Sequence, residues 1–207
     1  GFLLLGNSYD VSTAMLWMFQ IMFAATACTI VTGAVAERFK FHAHVLNSVF
    51  LCGVLYPIFG HWMWGKGWLE MLPFGVGARD FAGSGVVHGI GGLIAFVAAW
   101  MTGPRYGKYN PDGSSNVIHG HNLLYIVMGT LILIFGWFGF NAGSTLAVTE
   151  LRVSIIAVNT FLSAAAGAVT LLYLSFCMTK KSDVIMTCNG ALAGCVAITA
   201  SGAYVPH

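Results

Sequence analysis

The hydrophobic positions of this chain fall into six long runs, separated by short polar and glycine-containing stretches. Each run has close to the roughly 20 residues that an α-helix needs to cross the ~30 Å hydrocarbon core of a bilayer. The pattern therefore predicts six membrane-spanning helices. We place them near residues 14–36, 42–64, 82–102, 121–144, 153–177 and 184–204.

Composition supports a membrane environment rather than a soluble one. Hydrophobic residues make up 57% of the chain and charged residues only 8%, whereas roughly a quarter of the residues of a soluble domain are charged. The 26 glycines suit helices that pack closely in lipid. We therefore predict an all-α fold, a polytopic transmembrane helix bundle in contact with the lipid bilayer.

Lysine and arginine residues assign the two sides of the predicted bundle. Six of them follow the first, third and fifth runs: Arg38, Lys40, Arg105, Lys108, Lys180 and Lys181. The opposite connections hold only Lys66, Arg79 and Arg152. By the positive-inside rule the larger set is cytoplasmic, which predicts a multi-pass protein of the cell membrane with both ends of this chain outside. The Trp62, Trp64 and Trp68 cluster then marks the outer interface.

The remaining composition argues against several other classes. A net charge of +2 without a basic run gives no basis for nucleic-acid binding. The five cysteines lie in or beside apolar runs without a CxxC pair, so we interpret them as packing residues. The two HxH pairs, at residues 42–44 and 119–121, lack a third ligand, and we predict neither a metal nor a cofactor. Because the chain starts at Gly1 without a signal-peptide pattern, we expect an interior piece of a longer protein.

His88 is the histidine that the pattern sets apart. It follows Asp80 by eight residues, about 12 Å along a helix, and an apolar run follows it. An ionisable side chain at that depth usually faces a cavity or relay, so we expect a functional role. The alternative is a neutral imidazole that hydrogen-bonds between helices for packing. Asp80 itself, at the start of the run, either caps the helix or handles protons directly.

A second group of side chains lies in the fourth run. Trp137, Phe140 and Ser144 recur at i, i+3 and i+7 and so share one helix face. Alone, such a face is ordinary packing. The predicted orientation places Ser144 near the outer mouth and Phe140 about one turn deeper.

The orientation brings these groups into one column. Trp64 and Ser144 would lie at the outer surface, above a layer of Phe23 and Phe140, with His88 beneath. Aromatic faces attract a cation, and a serine hydroxyl accepts one of its N–H bonds. An apolar layer disfavours the passage of a charged ion. A neutral imidazole can accept a proton. This arrangement suits a small monovalent cation that sheds its charge before it crosses.

Five ordered motifs make the chain resemble the ammonium transporter (Amt) family, which is related to the Rhesus glycoproteins, along essentially its whole length. The motifs are residues 19–23 with 33–38, 62–65, 80–88, 136–144 and 189–194. The resemblance implies eleven helices with an inverted repeat, of which these six spans would be the third to eighth. It also implies a homotrimer with one pore per subunit, which takes ammonium or ammonia, with methylammonium as an analogue. A cytoplasmic regulatory protein is a further candidate partner.

The resemblance also implies roles for individual residues. Phe23, Trp64 and Ser144 would bind ammonium; Phe23 and Phe140 would form the pore gate; His88 and Trp137 would line the pore, with His88 in a proton relay; and Asp80 would be a structural acid near the outer site. The family's second pore histidine belongs to a later helix, which would lie beyond His207.

Three other functions are weighed against transport, which is not an enzymatic activity. An ammonium sensor would use the same outer site and couple it to a signalling domain. An intramembrane serine hydrolase would use Ser84 as nucleophile near His88. Residues 82–85, however, only nearly fit the GxSG pattern, because the first position is alanine. A water or glycerol channel is disfavoured because no Asn-Pro-Ala element occurs.

Overall fold

The structure of the protein, a computed structural model, describes residues 11–206. Residues 1–10, which include the Gly1 start used in the sequence analysis, and His207 lie outside the described residues. Between residues 11 and 206 the chain is helical apart from its connections, and its only extended pairing is an isolated β-bridge between Tyr109 and Ser115. The predicted all-α fold class is confirmed.

Seven α-helices, two π-helical segments and one 3₁₀ turn make up the described chain. The α-helices are α1 (Val11–Val35), α2 (Phe41–Phe50), α3 (Tyr56–Trp64), α4 (Ile90–Thr102), α5 (Leu123–Ala142), α6 (Leu151–Thr179) and α7 (Val184–Ser201). The π-helical segments are Leu51–Leu55, which joins α2 to α3, and Ser84–Gly89, which leads into α4; the 3₁₀ turn is Gly143–Thr145.

Six continuous helical segments of the described chain are long and apolar enough to span a membrane. They are Ser12–Val35, Phe41–Trp64, Ser84–Thr102, Leu123–Thr145, Leu151–Thr179 and Val184–Ser201. The prediction of six spans is confirmed. The largest difference in a boundary is three residues, at the end of the last span, which stops at 201 rather than 204.

Side chains at the helix starts explain two of these boundaries. The Asp183 carboxylate accepts hydrogen bonds from the N–H groups of Ile185 and Met186, at 2.8 and 3.1 Å, and begins α7. The Asn122 side chain accepts from Leu124 N–H at 2.9 Å and begins α5. Both residues supply partners for N–H groups that have none within the helix.

The chain divides into two compact units. Within the described part of the chain, the first consists of residues 11–77 and 85–116, and the second of residues 78–84 and 117–206. Helices α1 to α4 therefore belong to the first unit, and α5 to α7 belong to the second together with the short segment that carries Asp80.

In the first unit, α1 runs antiparallel to the continuous helix formed by α2 and α3. Three contacts show this direction. The Cys28 thiol donates to the Ser48 hydroxyl at 2.8 Å, the Cys52 thiol to the Ala24 carbonyl at 3.4 Å, and the Tyr56 hydroxyl to the Gln20 amide oxygen at 2.6 Å. Each step moves one turn back along α1 and one turn forward along the partner helix.

The same α1 runs parallel to α4. Arg38, just after α1, donates to the carbonyl oxygen of Gly103, just after α4, at 2.7 Å. Arg105 and Glu37 form an ion pair at 3.5 Å at the same end. Because the C-terminal ends of both helices meet, the two helices point in the same direction.

In the second unit, small residues let α6 and α7 approach closely. A Cβ atom added at Gly190 would collide with the backbone carbonyl of Gly167, and one at Gly194 would collide with that of Ser163. The Ser163 hydroxyl donates to the Gly194 carbonyl at 2.7 Å across this contact. Glycines four residues apart at a close helix crossing are typical of helix packing in membranes.

Candidate functional site

The two aromatic side chains predicted for the outer mouth from the first unit are in contact. Phe23 of α1 and Trp64 at the end of α3 pack edge to face, with ring centroids 6.2 Å apart and ring planes at 85°. Phe23 is only 3% exposed, and its ring also lies 4.5 Å from that of Phe19. Helical side chains lean toward the N-terminus of their own helix, so in this antiparallel pair the two rings lean toward each other. The faces of such rings carry the negative potential that attracts a cation.

His88 lies in the π-helical segment Ser84–Gly89 and is half-buried, directly after the fully buried Val86 and Val87. The helix begins at Ser84 and not at Asp80, which places His88 four residues into it. The expectation that one continuous helix runs from Asp80 to His88 was therefore wrong. A π-helical turn is rare and is frequently found at functional positions.

His88 and Phe23 lie at similar heights on neighbouring helices of the first unit. A Cβ at Gly91 would lie 2.8 Å from the carbonyl oxygen of Ala27, so α4 and α1 cross closely at this point. His88 precedes Gly91 by three residues, and Phe23 precedes Ala27 by four. Because the helices are parallel, both side chains lie about one turn before the crossing.

Asp80 is 6% exposed and lies in the second unit. One of its carboxylate oxygens accepts hydrogen bonds from the N–H groups of Gly83 and Ser84, at 2.9 and 2.8 Å. A carboxylate that accepts from the first N–H groups of a helix is a cap and interacts favourably with the positive end of the helix dipole. This geometry favours the structural role of Asp80 over direct proton handling.

The segment after Asp80 is also joined to the end of α7. Phe81 N–H donates to the Ala200 carbonyl at 3.0 Å, and Ala82 N–H donates to the Thr199 carbonyl at 3.1 Å. The last carbonyls of a helix have no partner within it. Asp80 therefore caps the helix that begins at Ser84, and the backbone of Phe81 and Ala82 supplies hydrogen-bond donors to the C-terminal carbonyls of α7.

Ser84 is also hydrogen-bonded to α7. Its hydroxyl donates to the carbonyl oxygen of Val196 at 2.9 Å. An activated serine nucleophile would instead donate its proton to a general base. The geometry thus gives no support to the alternative in which Ser84 acts as a nucleophile.

Trp137 belongs to a buried polar network in the second unit. Its indole N–H donates to the Thr199 hydroxyl at 3.0 Å, and the Thr199 hydroxyl lies 3.1 Å from the Asn141 amide oxygen. The Asn141 amide nitrogen donates to the Thr160 hydroxyl at 3.1 Å. Asn141, Thr160 and Thr199 are each at most 1% exposed. Buried polar groups of this kind are costly unless they are hydrogen-bonded, and here they bond to one another.

Phe140 and Ser144 extend this part of the second unit. The Phe140 and Trp137 ring centroids lie 6.1 Å apart. Ser144 lies in the 3₁₀ turn after α5, not on a continuing α-helix, and its hydroxyl donates to the Phe140 carbonyl at 2.6 Å. A hydroxyl that donates its proton in this way can still accept hydrogen bonds through its lone pairs.

The three tryptophans predicted to mark the outer interface do not form one contact cluster. Trp62 packs against Trp68 at 5.8 Å and against Phe59 at 6.0 Å between ring centroids. Trp64, two residues after Trp62, turns toward Phe23 instead. Neighbouring residues of a helix point in different directions, which separates the two tryptophans.

No group of three or more His, Cys, Asp or Glu side chains within residues 11–206 could hold a metal ion. His44 lies near Phe39, at 6.5 Å between ring centroids, and 3.5 Å from the Ser48 hydroxyl. His121 lies 5.9 Å from the ring of Tyr125.

The candidate site residues are distributed over both units. The first unit holds Phe23, Trp64 and His88; the second holds Asp80, Trp137, Phe140 and Ser144. The column predicted from the sequence draws on both units and stays a prediction.

Sequence reasoning missed several polar residues whose side chains hydrogen-bond inside each unit. These residues are Gln20 and Tyr56 in the first unit and Asn141, Thr160 and Thr199 in the second. A usable signal was present, because each is a polar side chain inside a long apolar run, and such residues are rare and usually paired in membranes.

Comparison with known proteins identifies the family. Residues 2–207 match the model of the Ammonium Transporter Family. The chain therefore belongs to the ammonium transporter family, which confirms the resemblance seen in the sequence. Because this is a family of transporters, the prediction of a non-enzymatic, multi-pass membrane protein is also confirmed.

Individual relatives agree with this assignment. The chain is 58% identical over 211 aligned residues to ammonium transporter Amt2 of Archaeoglobus fulgidus, covering 99% of this chain and 45% of the relative. A solved structure titled "Sensor Amt Protein" matches with a TM-score of 0.86 at 45% identity, over 92% of this chain and 48% of that one. Mep2 of Candida albicans matches with a TM-score of 0.82 at 37% identity, over 93% and 42%. The chain spans less than half the length of these relatives.

Proposed function

We propose that the intact protein containing this chain is an ammonium transporter. It recruits ammonium at an outer aromatic site, removes a proton and conducts ammonia through a hydrophobic pore. The observation that carries the proposal is the edge-to-face pair of Phe23 and Trp64 at 6.2 Å. Membership in the ammonium transporter family supports the choice of substrate.

The free energies of binding and of burying a charge favour conduction of neutral ammonia over conduction of the ammonium ion. A cation over an aromatic face gains about 0.5–2 kcal/mol. Placing a charged group at mid-bilayer costs about 2.5–3.5 kcal/mol on insertion scales and more by simulation. Attraction by Phe23 and Trp64, with a hydrogen bond accepted by Ser144, therefore captures the ion without carrying it through. Ammonia, having no charge, avoids most of this cost.

The deeper residues take the roles that follow from this scheme. Phe23 and Phe140 form the gate, and Trp137 lines the passage beside it. His88 accepts the proton or hands it on, since a neutral imidazole has one ring nitrogen that accepts and one that donates. The similar heights of His88 and Phe23 on parallel helices support a proton acceptor at the level of the gate.

Uptake of labelled methylammonium into vesicles tests the proposal. Trp64→Leu in the full-length protein should raise the half-saturating concentration, because it removes one aromatic face from the capture site. A loss of about 1 kcal/mol of cation–π attraction corresponds to about a fivefold rise. Trp62→Leu is the matched control, since Trp62 packs against Trp68 and not against Phe23. An unaltered concentration dependence for Trp64→Leu would count against the site.

An ammonium sensor is the second candidate. The observation that favours it is the likeness to the solved structure titled "Sensor Amt Protein". A sensor would bind the cation at the same outer residues and pass the signal to another domain. The uptake experiment separates the two functions, because saturable binding to the protein without uptake would contradict the transporter proposal.

The assembly and orientation are part of the same proposal. We expect a homotrimer with one pore per subunit, with the connections that carry most of the lysine and arginine residues facing the cytoplasm. Molar mass measured on the purified protein, corrected for bound detergent, tests the trimer.

A further inference from the structure

Thr199 of α7 is the central residue of the polar network in the second unit. Its side chain has no exposed surface. Its hydroxyl accepts the Trp137 indole N–H at 3.0 Å and lies within donating distance of the Cys195 carbonyl, at 2.7 Å. Its backbone carbonyl accepts the N–H of Ala82 at 3.1 Å. One residue therefore contacts both the predicted pore-lining tryptophan and the segment that carries Asp80.

The chemistry of the hydroxyl suits this position. An indole N–H can only donate, so Trp137 needs an acceptor in its buried surroundings. A hydroxyl has one proton and two lone pairs. The Thr199 proton goes to the Cys195 carbonyl or to the Asn141 amide oxygen, and either choice leaves a lone pair for the indole.

We infer that Thr199 is a positioning residue for transport, which acts by fixing the orientation of the Trp137 indole. This inference rests on the proposed function. With its N–H held by Thr199 and its ring against Phe140 at 6.1 Å, the indole keeps one orientation and leaves the hydrophobic passage clear. Without the hydroxyl, the indole gains alternative rotamers, some of which narrow the passage. Capture of ammonium at Phe23, Trp64 and Ser144 does not involve Thr199.

The test uses full-length protein in vesicles and measures the maximal rate and the half-saturating concentration of methylammonium uptake. Thr199→Val keeps the shape of the side chain and removes the acceptor. We expect its maximal rate to fall about two- to tenfold, the equivalent of one hydrogen bond, with the half-saturating concentration unchanged. Thr199→Ser, which keeps the hydroxyl, should restore the rate. Thr170→Val is the control, because the Thr170 hydroxyl is exposed and bonds only within its own helix.

The same Thr199 substitution made in the Trp137→Phe variant shows whether Thr199 acts through Trp137. In Trp137→Phe, which has no indole N–H, Thr199→Val should cause no further loss of rate. An equal loss in both backgrounds, or a wild-type rate in Thr199→Val, overturns the inference. If Thr199→Val fails to fold, Thr199→Cys, a weaker acceptor, should give an intermediate rate, and a wild-type rate overturns the inference. A wild-type protein without uptake overturns the proposed function itself.

Discussion

The Asp80 carboxylate has two candidate roles, helix cap and proton carrier, which respond differently to substitution. Asp80→Asn keeps an oxygen that can accept from Gly83 and Ser84, whereas Asp80→Ala removes it. We expect Asp80→Ala to lower the free energy of unfolding by about 1–2 kcal/mol, the usual effect of losing a cap. Asp80→Asn should change it by less than about 0.5 kcal/mol. Thermal unfolding of the purified protein measures both.

Transport by the same variants separates the roles. A folded Asp80→Asn protein with normal uptake supports the capping role. Stable protein without uptake would instead show that the negative charge itself is required. Asp183→Asn serves as the control, since Asp183 caps α7 through the same kind of bonds at 2.8 and 3.1 Å.

His88 gives a second prediction about a single residue. His88→Ala should lower the uptake rate, or alter the dependence of uptake on the proton gradient, more than it weakens capture. The reason is that His88 lies deeper than Trp64 and Ser144 in the proposed path and can exchange a proton there. His119→Ala, an exposed histidine in a connection, is the control. Flux and selectivity equal to those of the wild type would remove His88 from the mechanism.

Sequence reasoning found the aromatic and ionisable residues of the site more readily than the residues that position them. Trp64 and His88 are conspicuous because they carry distinctive chemistry in an apolar context. Thr199 and Trp137 lie 62 residues apart in sequence, and no local pattern records their hydrogen bond. The expectation of one helix from Asp80 to His88 was wrong because the helix begins at Ser84, where Asp80 caps it.

At the scale of helices, the α6–α7 crossing gives a prediction about glycine. Gly194→Ala places a Cβ against the backbone carbonyl of Ser163, which cannot move away without shifting α6. We expect a loss of about 1–3 kcal/mol in the free energy of unfolding, as for other overpacked cores. Thermal unfolding in detergent checks this value.

The control for this prediction is Gly129→Ala in α5. A Cβ at Gly129 meets nothing within 4 Å, so only helix propensity changes, and alanine is favoured over glycine by up to about 1 kcal/mol. The two substitutions should therefore have opposite signs. A loss of equal size in both would contradict the close crossing.

The six helical segments were predictable because hydrophobic runs of the right length leave little choice in a bilayer. The π-helical segments Leu51–Leu55 and Ser84–Gly89 were not predictable, since a hydrophobic run does not record the hydrogen-bond pattern inside it. One extra residue in a turn changes which face later residues occupy but leaves the hydropathy unchanged.

At the scale of the whole chain, the assignment of sides rests on charge alone. Six lysine and arginine residues lie on one side and three on the other, and this bias predicts orientation because cytoplasmic connections retain positive charge. The parallel course of α1 and α4 and the antiparallel course of α1 and α3 agree with an alternating path. Helix directions within a unit do not say which end is cytoplasmic, so the orientation needs its own experiment.

Labelling with a membrane-impermeant maleimide on intact cells provides that experiment. Tyr106 is fully exposed in a connection predicted to be cytoplasmic, and Met71 is 69% exposed in one predicted to be outside. Cys177 is the one exposed cysteine among the five, so the test is made in a Cys177→Ser background. We expect Met71→Cys to be labelled on intact cells and Tyr106→Cys only after the membrane is permeabilised. The reverse pattern would invert the bundle and move Trp64 to the cytoplasmic side, and it would turn the proposed capture site into an exit.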